Sequence, residues 1–177
     1  ILLLAFTFQV TAQEEENLLT NPGFEEPYRM VDGNREVASG WNPWHIPRTE
    51  AMPLWQNAQP EYGQTAPDAT RIRSGNNAQK FYNNTWNAHD GGVFQRITDI
   101  TPATELLFSV YVYVWSSAYE DVETSEEPGE VTVQVGIDPT GGTDPASSNI
   151  VWSFAVPQYD AYRQYSIGAN AASNAVT

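Results

Sequence analysis

Residues 106–115, LLFSVYVYVW, sort by parity. Leu106, Phe108, Val110, Val112 and Val114 fall on one side of an extended strand, and Leu107, Ser109, Tyr111, Tyr113 and Trp115 on the other. One side is an aliphatic core face and the other an aromatic ladder. Tyr and Trp offer flat apolar faces with a polar edge, the chemistry that stacks on a sugar ring while hydrogen-bonding its hydroxyls. The ladder therefore points to binding rather than to catalysis.

The chain has 177 residues, enough for one domain with a real core. Its 22 acidic residues against 8 basic give a net charge of -14 and no Lys/Arg cluster, a field that repels phosphate backbones. Nucleic acid and membrane insertion are therefore not expected. Cysteine is absent, which removes disulfides, Cys-based zinc sites and thiol nucleophiles. Residues 1–12 form a short apolar run closing on Val10-Thr11-Ala12, which reads as the end of a secretory signal peptide. The run is too short to span a bilayer, and no initiating Met or charged segment precedes it, so the sequence is expected to begin inside the signal. Residues 13–17 then read as an acidic linker and residues 18–177 as a single domain. A secreted or cell-surface location follows.

Strand-like stretches are placed at Leu18-Leu19 and near 40–46, 69–74, 78–83, 92–98, 106–115, 130–137, 149–155 and 163–169, with Gly, Pro, Asn and Asp between them. No segment carries a helical period. This spacing favours an all-β fold, an antiparallel β-sandwich of the jelly-roll kind. Val131, Val133, Val135 and Ile137 repeat the core parity, so 130–137 is expected to pair with 106–115 as a hairpin, with 119–130 as its solvent loop. Two weakly patterned loops, 48–67 and 138–148, are expected to frame one end. The sequence stops at Ala175-Val176-Thr177 as a further strand begins, so at least one C-terminal strand is expected to be missing.

The segment NLLTNPGFE (17–25) followed by Gly40-Trp41 resembles the opening of bacterial extracellular carbohydrate-binding modules with a jelly-roll sandwich, commonly appended to secreted glycoside hydrolases. AQKF (78–81), GGVFQRI (91–97), the 106–115 strand and VGIDPTGG (135–142) with Val151-Trp152 agree in order, so the resemblance covers nearly all of the mature chain. It implies a structural calcium ion with Glu25 as a ligand, a site usually completed by an acidic residue on a final strand in a motif like DDV, which this sequence does not reach. It also implies a catalytic domain elsewhere in the full-length protein.

The candidate ligand-binding residues are Tyr111, Tyr113 and Trp115, exposed unless loop 48–67 folds over them. Gln134 is the leading polar partner, Gln95 or Arg96 joins by parity, and Trp86 lies in the turn-rich segment 83–90 at the groove edge. Trp41 and Trp152 read as core. No enzyme is expected: G-x-S-x-G, H-E-x-x-H and a phosphate-binding glycine loop are absent, and His45 and His89 are far apart. The acids of 120–130 read as a solvated loop. The function expected is non-catalytic binding of a polysaccharide or oligosaccharide; the alternative is an extracellular structural or adhesion domain that binds protein neighbours.

Overall fold

A computed structural model describes residues 16–33, 35–83, 86–120, 122–156 and 158–177. The expected signal peptide, residues 1–12, and most of the linker lie outside the described residues. Twelve strands are described: β1 (Tyr28–Asp32), β2 (Arg35–Ala38), β3 (Asn42–His45), β4 (Glu61–Gln64), β5 (Gln79–Tyr82), β6 (Gly91–Phe94), β7 (Ile97–Thr98), β8 (Glu105–Tyr113), β9 (Gly136–Ile137), β10 (Val151–Trp152), β11 (Tyr162–Asn170) and β12 (Ala175–Val176). They join in antiparallel pairs: β1 with β2, β3 with β6, β4 with β5, β7 with β12, β8 with β11, and β9 with β10. Among the described residues the sole helical element is a 3-10 turn at Ala69–Arg71. The fold is all-β.

Strand β8 keeps the alternation that its sequence dictates. Leu106, Phe108, Val110 and Val112 are half-buried, and Leu107, Ser109 and Tyr111 are exposed. Its partner is not 130–137 but β11, in a continuous register from Tyr113 opposite Tyr162 to Glu105 opposite Asn170. Tyr165, Ile167 and Ala169 lie opposite Val110, Phe108 and Leu106, so β11 extends the same apolar face. Segment 130–137 turns Val135 and Ile137 inward, as its parity requires, but meets 151–156 instead: Val133 bridges Val156, and Gly136 and Ile137 pair with Trp152 and Val151. Gly136 explains the choice. A Cβ there would stand 2.6 Å from the Trp152 ring, so only glycine admits that indole.

Three further expectations are corrected. Leu18-Leu19 forms no strand, and loop 48–67 contains β4 with its buried Tyr62. Stretch 69–74 is a turn rather than a strand, because Pro67 and Asp68 start it: the Asp68 carboxylate accepts from Thr70 N at 2.9 Å and caps it.

Two apolar clusters form the interior. One gathers Val37, Ala38, Trp41 and Tyr62, the other Ile100, Ile137, Ala171 and Val176, and Phe108 of β8 packs against both. Side-chain amides tie the strand pairs together. Gln79 accepts from Ala38 N at 2.9 Å and donates to the carbonyls of Glu36, Gly63 and Lys80, so one amide links β2, β4 and β5.

Candidate functional site

The outer face of β8 and β11 carries Ser109 opposite Ser166, Tyr111 opposite Gln164 and Tyr113 opposite Tyr162, with Trp115 just beyond the strand end. Tyr111 is 41% exposed. The Tyr113 and Tyr162 rings meet edge to face at 5.4 Å. Cations lie over these rings. They come from the short turn: Arg71 Cζ lies 4.8 Å from the Trp115 ring centroid and 5.7 Å from that of Tyr113, and Arg73 Cζ lies 3.4 Å from that of Tyr111. Tyr162 anchors the turn by donating its hydroxyl to the Arg71 carbonyl at 2.7 Å. Burial pushes the Tyr162 phenol up, with the Arg73 charge acting in the opposite direction.

This face carries positive charge in an acidic chain. Among the described residues the ion pairs are those of Arg35 with Asp32 at 3.1 Å and with Glu61 at 3.5 Å. Arg71 and Arg73 make no ion pair among the described residues; aromatic rings lie under both guanidinium groups, and the Asp68 charge acts on Arg71. Two buried donors, Arg71 Nε and Trp115 Nε1, find no acceptor among the described residues, and Arg71 Nη2 has only a long contact of 3.5 Å to the Glu123 carbonyl. Such donors cost free energy unless an acceptor reaches them. The exposed Arg73 guanidinium is what this face offers to an oxygen acceptor beside its rings.

Tyr111, Tyr113 and Trp115 are brought together here, and the other candidates lie elsewhere. Gln95 is 7% exposed, with its amide donating to the Thr20 carbonyl and accepting from Thr20 N, so it fastens the N-terminal segment to the core. Arg96 donates to the Gly141 carbonyl at 2.8 Å. Gln134 is exposed and donates to the Ser153 carbonyl at 2.8 Å, on the segment that pairs with 151–156. Trp86 stands 83% exposed in the loop before β6. Trp41 is buried, 4.5 Å from the Phe24 ring, with its indole N–H donating to the Asn21 carbonyl at 3.0 Å. Trp152, expected in the core, is 39% exposed and lies 6.4 Å from the Trp44 ring.

Glu25 is held by its own motif. The Asn21 side chain accepts from Glu25 N at 2.8 Å and donates to the Glu25 carbonyl at 2.7 Å, which aims the carboxylate at Asn76 N, 3.0 and 3.2 Å away. Gly75 permits this approach: its φ is +74°, and a Cβ there would fall 1.8 Å from the Glu25 carboxylate. Calcium takes six to eight oxygen ligands. Among the described residues no three His, Cys, Asp or Glu side chains gather as a metal group.

No family model, curated protein or solved structure matches the chain. Arg71, Arg73 and Tyr162 are the site residues that the strand parity of 106–115 does not reveal. Their signal was present in Arg71-Ile72-Arg73, which places two cations at alternate positions, and in Tyr162, next to the expected 163–169 strand.

Proposed function

We propose that this chain is a non-catalytic glycan-binding domain, secreted or at the cell surface, whose contact surface is the outer face of β8 and β11. What supports the reading is one observation: Tyr111, Tyr113, Tyr162 and Trp115 converge with two guanidinium groups, and two buried donors there lack acceptors among the described residues. The rings supply apolar area, and Arg71, Arg73, Gln164 and the paired serines supply hydroxyl partners, the combination that separates one sugar from another. On this reading the strand pairs are the parts of a jelly-roll sandwich, Glu25 is the one group assigned to a structural calcium, and a catalytic domain accompanies the module in the full-length protein. Depletion of the protein from solution by a panel of soluble and insoluble polysaccharides tests it. Tyr111→Ala with Tyr113→Ala should weaken retention at least tenfold; unchanged retention would show that this face is not the platform.

A second reading, a structural or adhesion domain, draws on Leu54, Trp86 and Phe154, each more than four-fifths exposed. Self-association in sedimentation, with no glycan retained, would favour it.

A further inference from the structure

We propose that the Arg71 and Arg73 guanidinium groups form a receptor for the carboxylate of a uronic acid residue set sparsely along a glycan, an inference that rests on the glycan-binding reading and names its substrate class. Arg71 and Arg73 make no ion pair among the described residues, and the two stand one residue apart with both guanidinium groups over aromatic rings of one face. A guanidinium is a planar fork whose donors match the two oxygens of a carboxylate, and stacking on a ring pre-orients that fork. Arg71 Nε–H and Trp115 Nε1–H add two buried donors without acceptors among the described residues. A sugar acid pairs its carboxylate with the guanidinium groups, Arg73 standing at an exposed position, and has Ser109, Ser166 and Gln164 at hand for its hydroxyls.

The overall charge narrows the ligand further. A net charge of -14 opposes a polymer that is charged at every residue. A single carboxylate docked on Arg71 and Arg73 gains from close contact, while the rest of the field is screened over about 8 Å at physiological salt. Isolated uronate groups on a neutral glycan fit both conditions.

The test compares methyl β-glucuronide with methyl β-glucoside, which differ only in a carboxylate against a hydroxymethyl group, titrated into the nitrogen-15-labelled full chain. The Trp115 indole resonance, assigned with Trp115→Phe, and the Arg71 Nε–H resonance should move downfield and saturate with the glucuronide, with the glucoside at least tenfold weaker. Arg73→Ala, at an exposed position, should remove most of that preference while amide dispersion stays native. Equal affinity for the two sugars, or no movement of either resonance, overturns the inference. Sodium acetate binding as tightly as the glucuronide overturns the sugar part, and polygalacturonate binding more tightly per uronate overturns the sparse-charge part. Neutral polysaccharides retained without a glucuronide preference would sink this inference and leave the glycan reading standing. A glucuronide response with no polysaccharide retained would support the carboxylate receptor and overturn the polymer part of the glycan reading.

Discussion

The surroundings of Trp41 and the outer face of β8 and β11 use similar residue types to opposite ends. Near Trp41, the indole N–H, both the oxygen and the nitrogen of the Asn21 amide, and the amides of Gln79 and Gln95 each meet backbone partners. On the outer face, an indole N–H and a guanidinium N–H reach no acceptor among the described residues, and cations lie on rings rather than on carboxylates. Satisfied polar groups hold a fold together, and the two unsatisfied donors here lie among the rings of an outer face.

The contrast can be broken at either end, and the largest effect belongs to the interior. Trp41→Ala should cost about 3–5 kcal/mol in denaturant unfolding, because it leaves a cavity beside Phe24 and frees the Asn21 carbonyl. Gln79→Leu should cost about 2 kcal/mol in the same measurement, since it strips a partner from the buried Ala38 N–H and from strand carbonyls. Gly75→Ala should cost about 1–2 kcal/mol for its left-handed backbone, plus the clash with Glu25. Adding Glu25→Ala should recover the clash and not the backbone part, which a double-mutant cycle would show.

The outer face should behave differently. Arg73→Ala is expected to change stability by less than about 1 kcal/mol, since an exposed cation on a ring contributes little. A loss as large as that of Gln79→Leu would make Arg73 a structural tie and erase the contrast. The smallest effect is one of pH. Burial lowers the His89 imidazole below its ordinary value of 6.5, with Asp90 acting against it, so the unfolded chain binds the proton more readily. Stability is therefore full above 6.5 and declines as pH falls through the folded value. His89→Gln should flatten that slope between pH 7.5 and 5.5 in thermal unfolding.

How legible the molecule was in its sequence follows from the range of the forces involved. Alternation over ten residues is a local signal, and it located β8 and its two faces correctly; the bounds of β5 and β11 were nearly as plain. Strand pairing is not local. The hairpin of 106–115 with 130–137 was the shortest connection, but Tyr165, Ile167 and Ala169 offer β8 a longer apolar ladder, and Gly136 reserves its own segment for Trp152. Likewise, 69–74 imitates a strand while the Asp68 cap that makes it a turn lies just outside it, and that turn is what carries Arg71 and Arg73 onto the rings. Parity could leave Gln95 open to either face; its bond to Thr20, 75 residues away, could not be read from either neighbourhood.

Phe108 touches both apolar clusters from the inner side of the strand whose outer side carries Tyr111 and Tyr113. Strand β8 thus acts as a keel: neither cluster can open without slackening it, so amide exchange along β8 should follow global unfolding instead of local fraying. The spacing of the rings outside is inherited from the packing inside.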